Sequence, residues 1–170
     1  MCSKNIICRN FGLSDKNEKK KLFLNSVNSG NLSVIPNNIK PDGKISSQLI
    51  ELKKLDDLKI EGKIGLIKVD VEGFELNVLK GGENTIRKNN PVILFEQDGK
   101  SLNNGSSKVI DYLKKEGYII YYPFRKYKFK NIFLRRLLNL YEIFQGREMI
   151  FKSPNKFDKK SYELLIAIKK

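Results

Sequence analysis

The sequence predicts an α/β fold, and three observations carry that reading. From Ile64 onward, apolar strand-like runs alternate with helical patterns in the order strand, helix, strand, helix, strand. That order implies βαβ units with parallel pairing and right-handed crossovers. The central run, Leu66 to Asp70, carries carboxylates to its end and turns at Gly73 into a helical pattern. Ligands of open α/β sheets sit at the carboxyl ends of the strands, so this junction is the functional pointer. Finally, the chain has 170 residues and is 40% hydrophobic, enough to bury the core of one domain.

The elements follow in order. Asn5 to Phe11 reads as a short strand, and Gly12 to Asn17 as turn chemistry. Lys21–Leu24 and Asn31–Ile35 flank Asn28-Ser29-Gly30, which predicts a hairpin. Pro36 to Lys44 is a polar loop. Ile45 to Leu58 fits either a helix, from leucines every third residue, or a strand followed by a helical turn at Leu55–Leu58; the second is favoured. Ile64–Asp70 is the clearest strand, Phe74–Lys80 a short helix broken at Gly81-Gly82, and Glu83–Lys88 a second turn. Pro91–Glu96 is a buried-type strand with an acid at its end. Ser106 or Ser107 caps a helix through Lys115, with Val109, Ile110 and Leu113 on one face and Gly117 at its end. Tyr118–Tyr122 is a strand stopped by Pro123; Glu148–Phe151 and Glu163–Ile168 are two more. Arg125 to Arg147 mixes basic and apolar residues, with a basic amphipathic helix over Ile132–Leu138. It can serve as an acceptor-binding insertion, a membrane-surface helix or a core helix with a solvated basic face, and the last is the usual state of a surface helix.

Lysine and arginine number 33 against 19 acidic residues, a formal charge of +14. The lysines are scattered and often sit beside asparagines, so a dedicated nucleic-acid surface is not expected. There are no histidines, which removes the commonest general base and the commonest zinc ligand. Base catalysis must then use a carboxylate, lysine or tyrosine. Cys2 and Cys8 form no Cys-x-x-Cys pair and read as buried or idle thiols, so no metal site is expected. The amino terminus does not open a signal peptide and no run reaches membrane-spanning length, which gives a cytoplasmic setting and no expected membrane partner.

Lys68-Val69-Asp70-Val71-Glu72-Gly73-Phe74-Glu75, then Val78-Leu79-Lys80-Gly81, then Pro91 to Glu96, resembles the FkbM family of methyltransferases. Asn10 to Asp15, Leu55-Asp56-Asp57-Leu58 and Gly117-Tyr118 are similar to that family's flanking segments, so the resemblance runs in order from Asn5 to Tyr122. It implies a Rossmann-like class I methyltransferase that uses S-adenosylmethionine to methylate hydroxyl groups of sugars or small metabolites. It also marks a departure: the chain holds no Gly-x-Gly and no strand–loop–helix ahead of Asn5. By the resemblance it carries strands 3 to 7 of the family's sheet, and the edge of the Asp70 strand is left unpaired or must find another partner.

Methyl transfer from a sulfonium is an in-line displacement that needs an aligned acceptor and help with its proton. Strand alternation puts Leu66, Lys68 and Asp70 on one face. Asp70, Glu72 and Lys68 are therefore the catalytic candidates. Asp70 and Gly73 are candidates for the cofactor, joined through the resemblance by Asn10 and Gly12 near the adenine. The plainer alternatives are that Asp70 caps the next helix, that Glu72 and Glu75 favour its positive end, that Lys68 is a structural ion-pair partner, and that Asn10 and Gly12 form an ordinary turn. Glu96 lies at the same strand end and faces either the acceptor or solvent.

The expected organisation is a single partial methyltransferase domain over residues 1–170. Within it, 1–60 hold the third strand and hairpin region, 61–122 the core βαβ units, and 123–170 the basic insertion and closing strands. The expected partners are a small-molecule or glycan acceptor and a chain supplying the first two strands. A competing reading from another class is a non-enzymatic remnant, an interaction module with a basic surface.

Overall fold

The computed structural model describes residues 5–25, 32–35, 44–125 and 149–169, and the chain divides into two compact units that meet in sequence between Phe95 and Glu96. The fold is mixed α/β.

The first unit opens with a four-stranded sheet built from β1 (Gly12–Leu13), β2 (Glu18–Asn25), β3 (Leu32–Ser33) and β4 (Ile45–Lys53), in the order β1-β4-β2-β3. The strand expected over Asn5–Phe11 is displaced: residues 5–10 are exposed and outside any strand, and pairing begins at Gly12. Ile6 and Ile7 have the β-branched composition of a strand, yet they are 59% and 81% exposed; composition alone does not supply a ladder partner. The expected hairpin is present, with Phe23 opposite Ser33 and Leu24 opposite Leu32; its Asn28-Ser29-Gly30 turn lies outside the described residues, as does most of the polar loop from Pro36. β4 is the strand the sequence favoured, paired antiparallel to β2 from Glu18↔Leu52 to Asn25↔Ile45, and Leu55–Asp57 follows as a single 3-10 turn.

Next comes the strand–helix–strand unit: β5 (Leu66–Val69), α1 (Glu75–Gly81), α2 (Glu83–Asn89) and β6 (Val92–Gln97). β5 and β6 run parallel, with Leu66 opposite Val92 and Val69 opposite Phe95, as the βαβ reading requires. Ile93 and Phe95 of β6 are buried, with Val69 of β5 and Val78, Leu79 and Ile86 of the helices. Each such side chain contributes roughly 1.5–3 kcal/mol by leaving water. α2 starts at Gly82 with no side-chain cap of its own, and Asp56 supplies one from the 3-10 turn, accepting from the Asn84 and Thr85 amides at 3.0 and 2.8 Å. Asn89 ties its far end to the start of β5, accepting from the Ile64 amide at 3.0 Å.

In the second unit, α3 (Lys108–Lys115) is capped by Ser107 and buries Val109, Ile110 and Leu113, the face the sequence assigned. β7 (Tyr118–Arg125), β8 (Met149–Lys152) and β9 (Tyr162–Lys169) lie in the order β9-β7-β8, with β7 and β8 antiparallel. Pro123 does not stop β7; it sits within the strand opposite Phe151. Proline lacks only the amide hydrogen, and its fixed φ is extended enough for a strand position that asks no donor of it. The basic helix expected over Ile132–Leu138 lies outside the described residues. No helix among the described residues is long and apolar enough to cross a membrane.

Candidate functional site at the end of strand β5

Burial alternates along β5: Val69 is buried while Leu66, Lys68 and Asp70 are exposed. One face of the strand is therefore spent on the core and the other is presented outward, as a two-residue period dictates. On the outward face Lys68 Nζ pairs with Asp70 Oδ2 at 3.0 Å. The side chains are 59% and 41% exposed, so the pair adds little stability.

The chain then reverses through two left-handed residues, Glu72 at φ 48° and Gly73 at φ 91°. Glycine takes that conformation freely, whereas glutamate pays for it, so the turn holds Glu72 in a strained backbone state. Two contacts fix it. Ser33 Oγ, on a buried serine of β3, donates to the Glu72 carbonyl at 3.2 Å, and the Gly73 amide donates to Glu75 Oε1 at 3.0 Å. Lys20 lies over the ring of the following Phe74, 4.7 Å from its centroid. Phe74 occupies the N-cap of α1 with no side-chain cap, so Asp70 does not cap this helix; Glu75, in its first turn, serves its positive end.

The structure thus brings Lys68, Asp70, Glu72 and Gly73 together on one strand end and turn. Asn10 is exposed outside any strand, and Gly12 pairs with Leu52 in β1. A cavity of about 510 Å³ in the same unit is lined by Asn17, Glu18, Lys19, Glu51, Leu52, Lys53, Asp57 and Leu58, and none of the six candidate residues is in that lining. Glu96 is exposed at the end of β6.

Two residues that the sequence reading left out support the turn. Asp15, just beyond β1, accepts from Asn77 Nδ2 of α1 at 3.0 Å and from Ser14 Oγ at 3.1 Å. Ser33 is the other. A Ser-Asp pair directly after a strand was the available signal for Asp15; nothing in the local sequence marks Ser33, because its contact spans 39 residues.

The strand–helix–strand unit is parallel, and its first strand ends in acids and a left-handed glycine turn, at the strand end where open α/β sheets place ligands. A family model, the methyltransferase FkbM domain, matches residues 3–120, more than half of the chain, and the protein belongs to that family. Comparisons with curated proteins and with solved structures gave no match.

Proposed function

We propose that this protein is an S-adenosylmethionine-dependent methyltransferase acting on a hydroxyl of a sugar, glycan or small metabolite, and that it carries the later strands of a Rossmann-like class I domain. The observation that carries the reading is the Lys68–Asp70 pair and left-handed Glu72-Gly73 turn at the end of a parallel strand, inside the stretch that matches the family. When bound, S-adenosylmethionine supplies an activated methyl group on a sulfonium cation.

The residues present fit that donor in part. Acidic side chains at a strand end suit a cation and the hydroxyls of a ribose, and Gly73 leaves the backbone open to close approach. A glycine cradle of the Gly-x-Gly kind is absent from the sequence. In this reading Asp70, oriented by Lys68, accepts a hydrogen bond from the donor or the acceptor hydroxyl, and Glu72 takes up the acceptor proton. Asn10 and Gly12 stand near the adenine end, and Glu96 borders the acceptor.

The first two strands of the sheet then come from preceding polypeptide or from a partner chain. Two features support this. Ile6 and Ile7 are exposed in a strand-like segment outside any strand. Among the described residues β5 pairs on one side alone, with β6, and Leu66 at that edge is 56% exposed. Unpaired, apolar strand edges invite a further strand. The expected setting is cytoplasmic.

Calorimetry with S-adenosylmethionine tests both parts. The 170-residue chain alone is expected to show no measurable binding. A version extended by a strand and glycine-rich loop is expected to bind, and Asp70→Ala in it to lose turnover. Sub-millimolar binding to the chain alone refutes the missing-strand part, and unchanged turnover in Asp70→Ala refutes the site.

A further inference from the structure

The turn that carries Glu72 is held through a single peptide group. The Phe74 amide donates to the Val71 carbonyl at 3.3 Å, and the two residues between them both have positive φ, the type I′ pattern. The central peptide of this turn joins Glu72 to Gly73. Its carbonyl oxygen accepts from Ser33 Oγ at 3.2 Å, and its N–H donates to Glu75 Oε1 at 3.0 Å. A planar peptide fixed at both polar ends cannot flip without breaking both bonds. The two partners come from different elements, Ser33 from β3 and Glu75 from the first turn of α1.

Glu72 and Gly73 are exposed, whereas Ser33 and Glu75 are 2% and 9% exposed. Two buried side chains therefore grip an exposed turn from beneath, where water competes poorly for them. The Ser33 hydroxyl is itself placed by a further bond, accepting from the Ile35 amide at 3.1 Å, and it spends its one hydrogen on Glu72. The grip bears on chemistry through one dihedral. The orientation of the peptide after Glu72 is the ψ angle of Glu72, so fixing that peptide fixes where the side chain leaves the backbone. A proton acceptor works only within hydrogen-bond reach of the proton it takes, which makes that direction decisive.

We infer that Ser33 and Glu75 are positioning residues for methyl transfer: they lock the Glu72–Gly73 peptide and so hold the Glu72 carboxylate where the acceptor delivers its proton. The inference rests on the proposed role of Glu72. Glu75 acts here as a hydrogen-bond acceptor rather than as a charge.

Hydrogen exchange of the Gly73 amide, followed by NMR on the full chain without cofactor, reads the lock directly. Ser33→Ala is expected to speed that exchange about tenfold, the effect of losing one buried hydrogen bond at the far end of the same peptide. The amides of Ile93 and Phe95 in β6 should keep their rates, which separates a loosened turn from a loosened fold. Ser33→Thr, which retains the hydroxyl, should restore the parent rate. Glu75→Gln should keep Gly73 protected, because its carboxamide oxygen still accepts, and Glu75→Leu should not. In the extended enzyme Ser33→Ala is expected to lower kcat about tenfold and leave KM unchanged, since it displaces the proton acceptor and no substrate contact. An unchanged Gly73 rate in Ser33→Ala overturns the lock and leaves the methyltransferase reading standing. Equal acceleration at Ile93 and Phe95 overturns it too, by reducing Ser33 to a residue of general stability. A faster Gly73 rate with unchanged kcat overturns the positioning role. An extended parent that transfers no methyl group refutes the function and with it the positioning role, whereas the Gly73 rates still decide the lock.

Discussion

Asn77 Nδ2 donates to Asp15 Oδ1 across 3.0 Å and so ties the end of β1 to α1, 62 residues later in the chain. This bond is the leading reason that the Asp15 carboxyl is held below its ordinary value of 3.8; partial burial opposes it and the Ser14 hydroxyl assists it. Behind the pair, the Ser14 amide donates to the Lys53 carbonyl at 2.9 Å, which continues the β1–β4 ladder by one bond. Asp15 and Asn77 thus add one link between the four-stranded sheet and the helix that follows the candidate turn, beside the Ser33–Glu72 and Lys20–Phe74 contacts.

A pH dependence follows from the sign of that shift. A carboxyl whose folded value is depressed contributes stability above its unfolded value, and loses it as pH falls through the lowered folded value. Asp15→Asn removes this contribution. The melting temperature of the variant should lie below that of the parent at neutral pH, with the gap closing below about pH 3.8, where the native carboxyl takes up its proton. A gap that stays constant down to acid pH would mean that the carboxylate charge is immaterial to the joint.

Gly81 makes the same joint close-packed. A methyl group at position 81 would stand 1.9 Å from the Ser14 carbonyl oxygen and 2.7 Å from its carbon, and backbone atoms cannot swing aside as a side chain would. Gly81→Ala should therefore destabilise the chain by about 1–3 kcal/mol in urea unfolding, the range of overpacked cores, despite alanine's better helix propensity. A stabilised variant would show that β1 and α1 are not packed together.

The difference between what the sequence revealed and what it hid is one of range. Helix α3 was legible because its cap and its apolar face lie within eight residues, β6 because a buried parallel strand reads as a continuous apolar run, and β5 because its largely apolar run ends in turn chemistry at Gly73. Lys68 and Asp70 meet as alternation predicts. Asn5–Phe11 misled because strand composition does not provide a ladder partner, and Pro123 misled because a proline's cost depends on which neighbour needs its amide. The contacts of Ser33, Asp15 and Asp56 cannot be read locally because their partners lie 39, 62 and 28 residues away.

Glu72 offers a test of whether strain serves the site. Its φ of 48° is one that asparagine tolerates far better than glutamate. Glu72→Asn should leave stability unchanged or raise it by up to about 1 kcal/mol, while methyl transfer in the extended enzyme falls. If both stability and turnover are unaffected, the glutamate at this turn is incidental and the proton-accepting role passes to Asp70.

The buried Ser107–Gln97 pair makes the last prediction. Ser107 Oγ donates to Gln97 Oε1 at 2.5 Å and accepts from the Ile110 amide at 3.3 Å, so one hydroxyl both caps α3 and satisfies a buried carboxamide. Gln97 spends its own Nε2 on the Asp98 carbonyl at 3.0 Å, leaving its oxygen dependent on the serine. Ser107→Ala should cost about 2–3 kcal/mol, more than the ~1 kcal/mol of a cap alone, because it also strands that oxygen away from water. Gln97→Leu in the Ser107→Ala background should recover part of the loss, since removing both partners of a buried bond costs less than removing one. A double-mutant cycle in urea measures the coupling directly. Strict additivity would show that the hydroxyl acts on the helix terminus alone and that Gln97 finds another donor when the serine is gone.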